Sequence, residues 1–586
     1  MRRLLPVVAV AAVIAVVPSA RAQGLDDLPP ELVSELALDS PSFVSSAFTV
    51  VTDDLYVDLK DDASETDITE VAAEAGVGLV KASDESDVDK LEVAHGVDPI
   101  RIPIIIDILE HDARVEHVEQ GTKAFAYFVP NDPLYASKQW HLKKVGAESS
   151  WETSCGMGVT VAVVDTGIAC FDKSPFMKGS DLQGTSCVAG WNFIDNTANA
   201  ADDQGHGTHV AGTIAQTTNN GKGVAGIAFC ASLMPVKVLN KSGWGTMQGV
   251  AQGIRWAADH GAQVINLSLG GPSGSSILKD AVKHAHDKGV IVVAAAGNSG
   301  RAVGYPAAYP EVVAVSATDS NDKLAWFSSR GPEVDIAAPG VAVTQQTICE
   351  NGRNKCELFG TFNGTSMASP HVAGAAAVLE GLGVTDPDAV ESALKASAEP
   401  KGEKNLYGAG RVDVAAAANR VWYTHLGLRI AALAALMLLL GRAFKKSGTQ
   451  IVKSPGVMFG ALLGGIGLIP ILPLLHLASH AGPLRWIAEL LMRPFGEWDL
   501  VFDGGLHRFL LLANAGPAVA LAALFLGVKR LRPIVGGFAV GSAALLTQMV
   551  LSGDVLFVFG TTTMRIFAAA NAAVCFFIAR AALDKK

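Results

Sequence analysis

Five apolar stretches after residue 421 constrain this chain more than any other feature. They are "HLGLRIAALAALMLLLGRAF" (425–444), "GVMFGALLGGIGLIPILPLL" (456–475), "FLLLANAGPAVALAALFLGV" (509–528), "PIVGGFAVGSAALLTQMVL" (533–551) and "IFAAANAAVCFFIARAAL" (566–583). Each is about long enough to cross the hydrocarbon core of a bilayer. Five transmembrane helices are therefore expected over 421–586, of which the fourth is Gly-rich and the first carries Arg429. The connections rich in Lys and Arg hold Arg442, Lys445, Lys446 and Lys453, then Lys529, Arg530 and Arg532, with Lys585 and Lys586 at the end. Placing these in the cytoplasm leaves residues 23–420 on the other side of the membrane.

The N-terminus agrees independently. "MRRLLPVVAVAAVIAVVPSARAQ" has two arginines, an apolar run and a small-x-small site at Ala20-Arg21-Ala22. It reads as a signal peptide over 1–22, with an uncleaved anchor as the alternative. Residues 23–45 read as a linker.

The formal charge of the chain is −11, which argues against nucleic acid as a partner. The acidity is concentrated in 46–128, where 20 Asp and Glu face 6 Lys and Arg. That segment reads as a small α+β unit. "LYVDLK" alternates like a strand, and "ETDITEVAAEAG" has the acidic start and terminal glycine of a helix. "IPIIIDILEHDARVEHVEQ" fits helix or strand.

Residues 129–420 alternate strands and helices. "VTVAVVD" (159–165), "AQVINLSLGG" (262–271), "GVIVVAAAGN" (289–298) and "EVVAVSAT" (311–318) are near-continuous apolar runs, as expected of strands covered on both faces. Segments with helical spacing lie between them. The fold class expected is α/β, a doubly wound, mainly parallel sheet. Sites in such sheets lie beyond the carboxyl ends of the strands, where Asp165, Ser268 and Asn298 fall.

"GHGTHVAG" (205–212) places His206 and His209 three residues apart. A zinc-protease helix needs H-E-x-x-H, and here a glycine follows the first histidine. The neighbouring Asp202 and Asp203 could assist a metal, but nothing completes a cluster. Two structural histidines would be the ordinary reading of an isolated pair. "NGTSMASPHVAG" (363–374) changes that reading, because it puts Ser366 in a glycine turn at the start of an apparent helix, where developing negative charge is favoured. An Asp…His…Ser order is one of the known orders of a catalytic triad.

These motifs carry a resemblance. "VVDTGI", "GHGTHVAGTIA" and "GTSMASPHVAG", with "SLGG", "AAAGN" and "FSSRG", resemble the signature segments of the subtilisin-like serine proteases, over roughly residues 130–420. The start, "PNDPLYASKQW", is similar to that of the thermitase-like branch. The resemblance implies a serine endopeptidase in which Ser366 is the nucleophile and His206 the general base. Asp165 would orient and stabilise the imidazole, and Asn298 would join the backbone N–H of Ser366 in binding the oxyanion. It makes His209 and His371 structural. Ser268, Leu269 and Gly270 would pair with an extended peptide substrate, and Gly297 and Gly304 would wall a first specificity pocket for an uncharged residue. Trp244 would shape neighbouring subsites or be an ordinary loop residue. Asp132, Asp181 and Asn220 match the family's positions for a structural calcium ion. The acidic segment 46–128 sits where the family has an inhibitory propeptide, so the chain's own propeptide is an expected partner beside protein substrates and the lipid bilayer.

Seven cysteines are present, six of them between 155 and 356. Export permits disulfides. Cys349 with Cys356 is the easiest pair to defend, and Cys170–Cys187 and Cys155–Cys230 would complete the set, although six cysteines allow about 15 connectivities. Two alternatives to a membrane-anchored zymogen protease stand open: a membrane sensor or transporter with the protease as a regulatory head, and a peptide-binding head without catalysis.

Overall fold

The computed structural model describes residues 51–83, 90–122, 129–172, 177–348, 358–475, 478, 484–556 and 560–584. The expected signal peptide, the linker and the Cys349–Cys356 pair lie outside them. Two compact units divide the chain, one ending at Ala126 and the other running from Tyr127 to Lys586.

The first unit is an antiparallel sheet in the order β2-β3-β1-β4, with β1 Val51–Leu59, β2 Val80–Lys81, β3 Leu91–Ala94 and β4 Val115–Thr122. Two helices accompany it, α1 Glu65–Ala75 and α2 Ile102–Glu110. Ser64 and Asp67 form a reciprocal capping box at the start of α1, and Gly76 closes it at φ +66°. The ambiguous "IPIIIDILE" becomes helix because its apolar side chains sort by helical spacing: Ile102, Ile105 and Leu109 are buried against Leu55, Val57 and Leu59, while Ile104 and Ile108 are exposed.

In the second unit a seven-stranded sheet runs β11-β10-β9-β8-β5-β7-β6, every pair parallel. The strands are β5 Thr160–Asp165, β6 Trp191–Asn192, β7 Ser232–Lys237, β8 Val264–Leu267, β9 Ile291–Ala295, β10 Val313–Thr318 and β11 Ile336–Pro339. The doubly wound expectation holds. Val161 and Val163 of β5 pack under α3 His206–Ala215 and α6 Thr365–Glu380, while Ala162 and Val164 pack under α4 Met247–Asp259 and α5 Ser276–Asp287. Successive side chains point to opposite faces, so burial on both faces turns the strand into a continuous apolar run. The strand order turns about β5, which places the end of that strand at the topological switch point. Disulfides join Cys155 to Cys230 and Cys170 to Cys187.

The helix α7 Val414–Ser447 runs through the expected 420/421 boundary without a break. Val414, Ala417, Ala418, Val421 and Trp422 belong to the core of the parallel-sheet domain, and residues further along the same helix join a separate apolar cluster. Five transmembrane helices were expected; among the described residues, three helices are long and apolar enough to cross a membrane: α7, α10 Arg532–Ser552 and α11 Thr561–Ala582. Among the described residues, the α-helices of the second and third apolar stretches are α8 Pro455–Gly465 and α9 Gly516–Phe525, of 11 and 10 residues. The break after α8 falls at Gly467, whose φ of +106° is closed to a helix, followed by Pro470 and Pro473. Before α9, Leu510 at φ +50° and Pro517 in the first turn prevent an earlier start. Glycine lets α8 and α10 meet almost backbone to backbone: a Cβ on Gly460 would lie 2.2 Å from the carbonyl of Ile534.

Candidate active site

Asp165 ends β5 and is fully buried. Its Oδ1 accepts hydrogen bonds from the Thr166 N–H and from His206 Nδ1, each at 2.7 Å. His206 opens α3 behind Gly205 at φ +104°. The next residue must be glycine, because a Cβ on Gly207 would lie 2.2 Å from the carbonyl of Gly167. That contact brings the histidine turn against the end of β5. Burial pushes the imidazole of His206 down, but the charge of Asp165 and its hydrogen bond outweigh it, so the ring titrates above its ordinary value.

Asp202 holds this turn, a role that the sequence reading missed when it weighed the residue as a metal ligand. It is fully buried, and its Oδ1 accepts from the Thr166 hydroxyl (2.8 Å), the Gln204 N–H (2.9 Å) and the Gly205 N–H (3.0 Å). Its Oδ2 accepts from the Thr208 N–H (3.0 Å) and hydroxyl (2.6 Å). One carboxylate thus ties the strand carrying Asp165 to the helix carrying His206.

Ser366 is the second residue of α6. Its hydroxyl donates to the Ser268 carbonyl at 3.0 Å, and the Ser268 hydroxyl donates back to the Ser366 carbonyl at 2.7 Å. Ser369 and Asn266 add a buried bond of 2.8 Å between α6 and β8. Beside the helix start, Asn298 Oδ1 accepts from both the N–H (2.8 Å) and the hydroxyl (2.9 Å) of Thr365. The oxygen is thereby committed, and the amide nitrogen is the atom left for a ligand. A Cβ on Gly364 would sit 3.5 Å from that nitrogen and 3.6 Å from the Ser366 N–H nitrogen, between the two donors.

A cleft of about 490 Å³ opens beside His206, with Leu239, Trp244, Met247 and Ser268–Gly271 among its walls. Trp244 is exposed. Leu239 and Met247 had no signal in the sequence beyond their apolar character. Among the described residues, the Leu269 and Gly270 backbones make no hydrogen bonds, so this edge is free to pair. Gly304 and Tyr305 lie opposite, with Tyr305 paired to Gly271 through bonds of 2.8 and 2.9 Å. Gly297, at φ +114°, abuts Gly304. His209 donates toward the Val343 and Gly360 carbonyls and stacks on Phe362, while His371 bonds the Met367 carbonyl and His141. Burial first, and neighbouring histidines for His141 and His209, hold these three rings well below the ordinary histidine range.

Asp132, Asp181 and Asn220 also come together. Asp132 accepts from the Asn219 and Asn220 N–H groups (2.7 and 3.2 Å), and Asp181 accepts from the Asn220 amide (2.8 Å) and the Val224 N–H (2.9 Å). Both carboxyls are buried, and no Lys, Arg or His side chain pairs with either among the described residues. Burial pushes Asp181 up to about 6, with the charge of Asp132 adding to it. An uncompensated pair of buried acids bordered by amide oxygens fits a hard cation. No group of three or more His, Cys, Asp or Glu could hold a metal among the described residues.

Comparison with known proteins agrees with this geometry. The profile of the subtilase family matches residues 156–410. The chain is 42% identical over 290 residues to thermitase of Thermoactinomyces vulgaris, covering 49% of this chain and 98% of that protein. It is 45% identical over 269 residues to subtilisin DY of Bacillus licheniformis, covering 45% and 92%. A thermophilic serine proteinase of Bacillus sp. strain AK1 matches over 393 residues at 33% identity, covering 65% and 93%. The chain belongs to the subtilase family. It is a serine endopeptidase with a subtilisin-like catalytic domain, followed by apolar helices that lie beyond the residues matched by the family profile.

Proposed function

We propose that the protein is a membrane-anchored, extracytoplasmic endopeptidase working through Asp165, His206 and Ser366. The Asp165–His206 bond beside a serine at a helix N-terminus carries this reading. Rotation of Ser366 about χ1 swings its hydroxyl from the Ser268 carbonyl toward His206. The imidazole then takes the hydroxyl proton as the oxygen attacks the scissile carbonyl. Asp165 stabilises the resulting imidazolium, which next protonates the leaving amine, and water repeats the cycle on the acyl-enzyme. Asn298 Nδ2 and the Ser366 N–H receive the oxyanion, and the Leu269–Gly270 edge takes the substrate as an added strand. Gly297 and Gly304 open the first pocket to an uncharged side chain. A serine-directed organofluorophosphonate is expected to label Ser366, read by mass spectrometry of the tryptic peptide. Labelling elsewhere, or none, would remove the triad reading.

Two predictions follow from the same atoms. Gly364→Ala would put a methyl group between the two oxyanion donors at a φ of +154°. The expected loss in kcat is about 10²–10³, the magnitude known for removing one such donor in subtilisin, with KM little changed. Because Asp165 holds the His206 titration above its usual value of about 6.5, the acid limb of kcat/KM is expected above that pH, since the base must be neutral to act. A pH–rate profile on a peptide amide checks it.

Calcium held by Asp132, Asp181 and Asn220 would neutralise the buried acid pair and join two loops. Chelation is expected to lower the midpoint of thermal unfolding by several degrees, as loss of a ligand present at ~100 Kd removes about 2.7 kcal/mol. Asp181→Asn should abolish the difference between calcium and chelator.

The orientation rests on where the charged ends collect. Gly456 lies against Pro533, Gly536 against Leu583, and Val452 bonds the Leu583 carbonyl. Lys445, Lys446, Lys453 and Arg532 therefore share one end of the helical region, and the catalytic domain attaches at the other. This supports a cytoplasmic basic end. Segment 46–128, with its formal charge of −14, is the proposed inhibitory propeptide. Arg429 is neutralised by Glu497 and bonds Gln548, so the intramembrane charge is used within the fold and favours anchoring over transport.

A further inference from the structure

Among the described residues, the hydrogen bonds between the catalytic domain and segment 484–556 gather at one end of the sheet. The Gly504 N–H donates to the Gly158 carbonyl (2.8 Å), just before β5, and Arg508 Nη1 donates to the Lys288 carbonyl (2.7 Å), just before β9. A Cβ on Gly289 would strike Leu556 at 2.1 Å. Past the C-terminal end of α6, the Thr385 N–H donates to the Asp554 carbonyl (3.0 Å), and the Leu556 N–H donates to the Thr385 hydroxyl (2.9 Å). All these contacts are at the amino ends of the strands or the carboxyl end of the serine helix. The reactive atoms are at the opposite ends of the same elements.

The separation follows from element length. Helix α6 has 16 residues, about 24 Å at 1.5 Å per residue. Strand β5 has six residues, about 20 Å. On the membrane-anchored reading, the contact layer lies at the outer membrane surface. Helix α10 has 21 residues from Arg532 to Ser552, about 31 Å, one bilayer core. Its far end is two residues from Asp554. Phe502, which borders the crevice beside Gly158 and Lys288 in this layer, is exposed, as suits a side chain at a lipid interface. The mount is stiff, because α7 is continuous from the catalytic core into the apolar cluster, and the contacts at 504–508 and 554–556 brace it at two further points.

We propose that the anchor sets a stand-off: the cleft faces away from the bilayer and cleaves extracytoplasmic polypeptide about 24 Å or more above the membrane, sparing bonds close to it. The substrate class is therefore soluble chains and the long tails or loops of membrane proteins, not juxtamembrane or intramembrane segments. An extended chain needs about seven residues to rise 24 Å. The proposal rests on the reading of this chain as a membrane-anchored protease, and the test separates the two.

Full-length mature enzyme is reconstituted in liposomes with a transmembrane reporter whose single cleavable sequence follows the membrane exit by 3 or by 20 residues. The same sequences without the membrane anchor are free-peptide controls. The expected result is equal cleavage of both free peptides, cleavage of the 20-residue reporter, and cleavage of the 3-residue reporter at least tenfold slower. Equal rates for the two tethered reporters overturn the stand-off. So does cleavage of the free peptides with neither tethered reporter cut. If the free peptides are intact as well, the protease reading itself fails and the proposal falls with it.

Discussion

Ser366→Ala is expected to leave a folded, membrane-bound chain with essentially no peptidase activity. The loss in kcat should be on the order of 10⁶, the magnitude known when subtilisin loses its serine, with about 10³–10⁴ over water remaining from the oxyanion donors and substrate binding. The fold has little at stake in the hydroxyl. It makes one bond, to the Ser268 carbonyl, worth about 1 kcal/mol, and the reciprocal Ser268–Ser366 bond uses the backbone and survives. An immunoblot of the membrane fraction with a C-terminal epitope reads a second consequence. If the protein processes itself, wild type runs shorter by the propeptide and the variant retains it. Equal shortening of both would mean that another protease matures it, and activity on added substrate would then decide the role of Ser366. Retained activity in a chain whose unfolding midpoint is unchanged would remove Ser366 as the nucleophile.

The candidate catalytic positions stand out in sequence because each sits beside a local backbone peculiarity that only certain residues meet. Gly207 must admit the Gly167 carbonyl, and Gly364 must leave room between two donors. The strands were legible because both of their faces are covered. What was not legible depends on distant partners. Asp202 reads as one acid in an acidic loop until its bonds to Thr166 and Thr208 are seen, 36 residues back and 6 ahead. His141 is an unremarked histidine until it meets His371, 230 residues away.

The edges of the helical region were harder to read for a different reason. Hydropathy counts apolar residues and does not register that Gly467 and Leu510 leave helical geometry. It also assigns α7 to the membrane from its apolar middle, while its first turns complete the catalytic core. A truncation after residue 420 would remove Val421 and Trp422 from that core, so lost activity in such a variant would report on packing as well as on anchoring.

Asp165→Asn is expected to cost about 10⁴ in kcat, the size of effect known for the equivalent change in a trypsin-type triad. Here the surroundings say how the loss arises. Asp165 Oδ1 accepts from two donors, the Thr166 N–H and His206 Nδ1. An asparagine that keeps its oxygen there preserves the imidazole tautomer, but its amide group then occupies the buried Oδ2 position, which has no partner, at a cost of about 1–3 kcal/mol. An asparagine turned the other way sets its amide against the Thr166 N–H and forces His206 Nδ1 to accept, leaving Nε2 protonated and unable to take the Ser366 proton. Either arrangement removes the negative charge that stabilises the imidazolium. The same charge and hydrogen bond raise the His206 titration against the opposing effect of burial, so their loss lowers it. Residual kcat/KM should therefore persist to lower pH than in the wild type, with its acid limb displaced downward. A loss smaller than tenfold, or an acid limb unmoved by the substitution, would mean that Asp165 does not act through His206.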